Sequence, residues 1–95
     1  MSTAMLGKPV LIRTYSAGVH FGTLTEWDGA KVATLQQSRR IWSWTGANTL
    51  NEIANVGVKK GSKISLAVQA ITLTETIEII QMSDKAVKNL GEIKW

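Results

Sequence analysis

A chain of 95 residues suits one domain and allows only a modest core. It has no cysteine, which excludes a disulfide framework, a thiolate nucleophile and a zinc site of the usual kind, and fits a reducing cytoplasm. Eleven basic against seven acidic residues leave a formal charge of +4, which favours anionic partners but falls short of the dense basic face of a duplex-binding module.

Met1 to Gly7 is short and rich in small residues, without the apolar run of a signal peptide or membrane span. It is expected as a flexible lead-in (residues 1–7) to a single domain over 1–95. Pro9 opens the first apolar run, where it starts a strand without costing a ladder bond. Val10 to Tyr15 alternates as a strand, Ser16-Ala17-Gly18 reads as a turn, and Val19 to Glu26 as a second strand. Gly22 inside that strand points to a bulge or to a close backbone approach. Asp28-Gly29 supplies a hairpin turn with positive φ angles, leading into a third strand, Lys31 to Leu35. Gln37-Ser38 reads as a loop and Arg39 to Thr45 as a fourth strand, which makes an antiparallel meander.

The pattern changes after Gly46. Thr49 and Glu52 fit a capping box, and Leu50, Ile53 and Ala54 place an apolar stripe on a short helix that Gly57 ends. Lys59-Lys60-Gly61-Ser62-Lys63 is a basic loop. Ile64 to Val68 reads as a short strand and Ala70 to Gln81, dense in β-branched residues, as a long one. Strict alternation sets Glu75 among Ile71, Leu73, Ile77 and Ile79, so its carboxylate must be paired, exposed or displaced by a bulge. Ser83-Asp84 caps a second helix, from Lys85 to about Leu90, ended by Gly91. Trp95 is expected to dock on the body or on a neighbour. The expected fold is α+β: a small antiparallel, barrel-like sheet of about five to six strands with two short helices.

Catalytic constellations are thin. His20 is the sole histidine, the seven carboxylates show no magnesium spacing, and no phosphate-cradling glycine motif occurs. The enzymatic reading is a hydrolase using His20 with Glu75; the expectation is that the protein is not an enzyme and needs no metal or cofactor. The stronger signal is Arg39-Arg40-Ile41-Trp42-Ser43-Trp44. In a strand, Arg40, Trp42 and Trp44 share one face, where indoles stack on bases and a guanidinium pairs phosphates. Asn48 leads into a helix N-terminus whose amides favour a phosphate, and Lys60 can close from the other end of that helix. Tyr15, on the first strand with Arg13, offers a second wall. The plain alternative is a core strand with buried tryptophans, edge arginines and a solvated lysine loop.

Ile12-Arg13-Thr14-Tyr15-Ser16-Ala17-Gly18-Val19-His20-Phe21-Gly22, then Arg39 through Leu50, then Ile71 through Ile80 with the terminal Trp95, together resemble a family of small uncharacterised proteins of tailed bacteriophages and prophages. The resemblance runs from about Val10 to Trp95. It implies a viral protein of the bacterial host cytoplasm and a role in counter-defence. It suggests a relation to phage sponges, which sequester the cyclic nucleotides of bacterial immune signalling such as anti-CBASS targets. A sponge binds without cleaving. The expected ligand is thus a cyclic nucleotide or oligonucleotide, held by Tyr15, Arg39, Arg40, Trp42, Trp44, Asn48 and Lys60. Four tryptophans in so small a chain suggest a homo-oligomer, with no membrane partner. The alternatives are a single-stranded nucleic-acid binder of OB or cold-shock character, using the same face as an open track, and a structural or inhibitory interaction protein.

Overall fold

The computed structural model describes residues 5–15, 18–44, 49–59 and 62–92. Its elements are β1 (Pro9–Thr14), β2 (Val19–Trp27), β3 (Ala33–Ser43), α1 (Leu50–Val56), β4 (Lys63–Ile64), β5 (Val68–Leu73), β6 (Thr76–Gln81) and α2 (Asp84–Glu92). All strand pairs are antiparallel, in the order β4-β3-β2-β1-β6, with β5 also on β3. The fold is α+β, and the sheet curls without closing into a barrel.

The curl begins with length. β1 reaches along β2 only as far as the Pro9–Thr23 pair, so the rest of β2 and the matching half of β3 project beyond it. Both strands bend. Register shifts fall between Phe21 and Thr23 and between Leu24 and Glu26. Gln37 takes a left-handed φ of 51°. Gly22 sits at the inside of the bend, where a Cβ would lie 2.8 Å from the Gln36 carbonyl oxygen and 3.1 Å from Ser38 Cα. Both meanings expected of Gly22 therefore hold: an irregular ladder and a backbone approached too closely for any side chain. The projecting half folds back until the Lys31 carbonyl accepts from the Thr76 amide at 3.0 Å.

Two apolar clusters result. Val10, Ile12, Leu24, Ala33, Leu35 and Leu73 fill the inside of the curl, with Met5, Trp27, Ile71 and Ile79 packed around them. Leu11, Val19, Phe21, Ile41 and Ile64 cover the other face and meet Ile53 and Ala54 of α1 and Ala86 and Leu90 of α2. Alternation supplies both sets from the same strands, and each fully buried Leu or Ile contributes about 1.5–3 kcal/mol. Met5–Gly7 forms a turn whose Gly7 amide bonds the Leu24 carbonyl at 2.7 Å, so the chain is anchored before β1 begins. Residues 1–4 and Trp95 lie outside the described residues.

The hairpin signal at Asp28-Gly29 is present as read. Asp28 Oδ1 accepts from the amides of Ala30, Lys31 and Val32 at 2.7, 2.9 and 3.0 Å, and Gly29 takes φ 84°. Thr49 caps α1 through the Glu52 amide at 3.1 Å, and Gly57 ends it with φ 87°. Four expectations need correction. Ile64 to Val68 is not one strand: β4 ends at Ile64 and β5 begins at Val68. Gln37-Ser38 is no loop: one bent strand runs from Ala33 to Ser43, because β2 and β5 supply ladder partners on both sides of the kink. The long strand over Ala70–Gln81 is two, broken at Thr74-Glu75, which puts Glu75 at an exposed bend instead of in an apolar row. Gly91 does not stop the second helix, which continues to Glu92.

Candidate functional site

The inner face of the sheet carries polar groups where the curl opens. In register, His20 of β2 stands opposite Arg40 of β3. Ser38 lies two residues before Arg40 on the same strand, so alternation sets both on the His20 face. His20, Ser38, Arg40, Ser65, Val68 and Ile71 line a groove of about 220 Å³.

Each polar residue there is held differently. Ser65 clamps the strand: its Oγ accepts from the Arg40 amide at 2.8 Å, and its own amide donates to the Arg40 carbonyl at 2.9 Å. That fixes the Arg40 backbone and leaves the side chain exposed. No hydrogen bond or ion pair to its guanidinium occurs among the described residues. Ser38 is 2% exposed, and its Oγ has no hydrogen-bond partner among the described residues. An orphaned buried hydroxyl is costly, and here it faces a groove. His20 is equally buried, at 2% exposed, within β2. The histidine-with-Glu75 arrangement is not part of this groove, whose lining includes no carboxylate.

Two residues beyond Arg40, Trp42 is half exposed, with the Lys63 Nζ 5.6 Å from its ring centroid. Lys63 reaches that position because β4 pairs it with Ser43. Along this edge stand a guanidinium, an indole and an ammonium. Tyr15 is 79% exposed. Arg13, Val19 and Ile41 form one row across β1, β2 and β3, so Tyr15 and Trp42 both lie just past that row at the same end of the sheet.

The remaining expected residues go elsewhere. Arg39 points to the helix face: its Nε donates to the Ser65 carbonyl at 2.7 Å and its Nη1 to the Leu90 carbonyl at 3.1 Å, with its guanidinium carbon 5.9 Å from the Phe21 ring centroid. Burial pushes its pKa down from the usual arginine value, and the carbonyl in the last turn of α2 is a natural cation partner. Arg39 and Arg40 are thus not brought together. Trp42 and Trp44 part as well. β3 ends at Ser43, and Trp44 turns half-buried onto the cluster around Ile41 and Ile53. Asn48 and Lys60 lie outside the described residues. Sequence reasoning missed Ser38 and Ser65. A serine after two glutamines looks like a loop, and nothing local marks Ser65 as the residue that pins Arg40.

Among the described residues no helix is long and apolar enough to cross a membrane, and no group of three or more His, Cys, Asp or Glu is placed to hold a metal ion. The family described as a domain of unknown function, DUF6948, matches residues 7–90, and the chain belongs to it. No curated protein and no solved structure matches the chain.

Proposed function

We propose that the protein binds and sequesters a cyclic nucleotide or cyclic oligonucleotide without turning it over, as the resemblance to phage counter-defence proteins implies. One observation carries the reading: Arg40, whose guanidinium is unpaired among the described residues, stands on β3 between Ser38, whose buried hydroxyl has no partner among them, and the half-exposed Trp42 indole. In it, Arg40 forks onto a phosphate, Ser38 donates to a phosphate oxygen, and Lys63 adds charge beside Trp42. A base stacks beside the half-exposed Trp42, and Tyr15 closes from the same end of the sheet. The lining, free of carboxylates among the described residues, suits an anion. The groove is small for a whole dinucleotide, which fits a site completed by a second copy of the chain in the host cytoplasm.

Calorimetry against a panel of cyclic di- and trinucleotides tests this. The expected result is saturable binding at fixed stoichiometry, with the ligand recovered intact after denaturation. Arg40→Ala should weaken binding by about 1.5–3 kcal/mol, the scale of a hydrogen bond to a charged group, with melting unchanged. Cleaved ligand over many turnovers, or an Arg40→Ala variant that binds every nucleotide as tightly as the parent, would sink the proposal. The Arg40–Trp42–Lys63 edge also suits a single-stranded nucleic-acid track. That reading predicts binding that falls steeply with salt and strengthens with oligomer length.

A further inference from the structure

The fold leaves two buried side-chain polar atoms without partners among the described residues, Ser38 Oγ and Thr76 Oγ1. The first opens on the groove above. The second opens on a different and larger one, of about 380 Å³, in the seam where the sheet fails to close. It is lined by Leu24 and Trp27 of β2 and by Thr76, Ile77, Glu78 and Ile79 of β6.

We infer that this seam is a second binding site, for a small uncharged planar heterocycle that carries adjacent N–H and C=O groups. Four features select that chemistry. Thr76 lines the groove at 8% exposed, and its buried hydroxyl has no hydrogen-bond partner among the described residues. Among the described residues β6 pairs only with β1, so beyond Thr76 its outer edge presents peptide groups with no ladder partner there, in alternating donor and acceptor order. A ring with an amide-like edge matches that order. The half-buried Trp27 indole and the apolar walls favour a flat ring. Among the described residues no Lys or Arg lines the seam, and the one charged lining residue is Glu78, whose Oε1 is 3.3 Å from Arg13 Nε. An anion is therefore disfavoured here, in contrast to the Arg40 groove.

The seam is closed off at one end. The bond from the Thr76 amide to the Lys31 carbonyl ties the hairpin tip across the start of β6. An extended peptide added to that edge would collide with the hairpin tip, whereas a single ring stops short of it. The volume lies at the lower end of the range for small-molecule pockets.

Uracil and hypoxanthine serve as probes, with benzoate as the anionic control and a short extended peptide as the competing occupant. Two-dimensional amide and indole NMR on the whole chain reads the site, the Trp27 signal being assigned from a Trp27→Phe variant. The expected result is a saturable shift of the Trp27 indole and the Thr76 amide with at least one base, and none with benzoate. Thr76→Val keeps the side-chain shape and removes the hydroxyl. It should weaken that binding about fivefold, the worth of one hydrogen bond, while leaving the melting temperature unchanged or higher. Arg40→Ala should leave it untouched, which separates this site from the nucleotide reading. No saturable shift at Trp27 with either base, equal shifts with benzoate, binding of the peptide in place of the bases, or a Thr76→Val variant with undiminished affinity would each overturn the inference.

Discussion

Arg39 and Arg40 are neighbours in the chain and do opposite things. Arg39 holds together parts of the chain far apart in sequence: the Ser65 segment, the end of α2 and the Phe21 ring. Two charge-assisted bonds to carbonyls that would otherwise be underused make its removal expensive. Arg39→Ala should lower stability by about 2–3 kcal/mol. Arg40→Ala, whose guanidinium bonds nothing among the described residues, should change it by no more than about 0.5 kcal/mol. Urea melts of the two variants decide. Equal losses would mean that Arg40 is structural and the open face has no spare cation. Alternation already sets these two residues on opposite faces, so that much is legible in the sequence. Which face α2 covers is not, because that depends on Leu90, fifty-one residues away from Arg39. The same limit governs the tryptophans. Alternation links Trp42 to Trp44 only while the strand lasts, and it ends between them.

At the scale of elements, the β2–β3 hairpin positions both grooves, and Asp28 is its fastener. Amide bonds from Ala30, then Val32 and Lys31, favour the carboxylate and hold its pKa below the ordinary 3.8. A folded pKa below the unfolded one gives stability that is complete above the unfolded value and fades as pH falls through the folded one. The native hairpin should therefore lose stability on acidification from about pH 5 to about pH 2 more steeply than an Asp28→Asn variant, which keeps an acceptor oxygen without the titration. Denaturant midpoints across that range measure it; parallel curves would show that the Asp28 bonds do not favour the charged form. The turn was legible because Asp-Gly chemistry is local. The bend at Gln37 was not, since glutamine carries no signal for a left-handed φ and the kink is imposed by Gly22 across the ladder. The break at Thr74-Glu75 was half legible. β-branched content argued for one strand, while a carboxylate in an apolar row argued that something there must give.

For the molecule as a whole, the surface left over after both clusters are filled bears on assembly. Leu66 is 75% exposed, Val68 48% and Trp42 51%; Val68 lines the Arg40 groove, Leu66 follows the lining residue Ser65 in the chain, and Trp42 lies two residues past Arg40. A chain of this size has little reason to leave Leu, Val and Trp in water around one polar groove unless another surface covers them. We expect a homo-oligomer whose contact includes the Ser65–Val68 segment, with each groove completed by a neighbouring copy. Light scattering at high micromolar concentration should give a multiple of the chain mass. Leu66→Asp should reduce that mass to the monomer and weaken nucleotide binding in step, because it removes the wall the partner supplies. Arg40→Ala should weaken binding at unchanged mass. The two variants thus separate assembly from ligand contact. A parent protein that stays monomeric with and without nucleotide would remove the oligomer and leave the groove a site within one subunit, whereas a Leu66→Asp monomer that binds as well as the parent would detach the binding site from the contact.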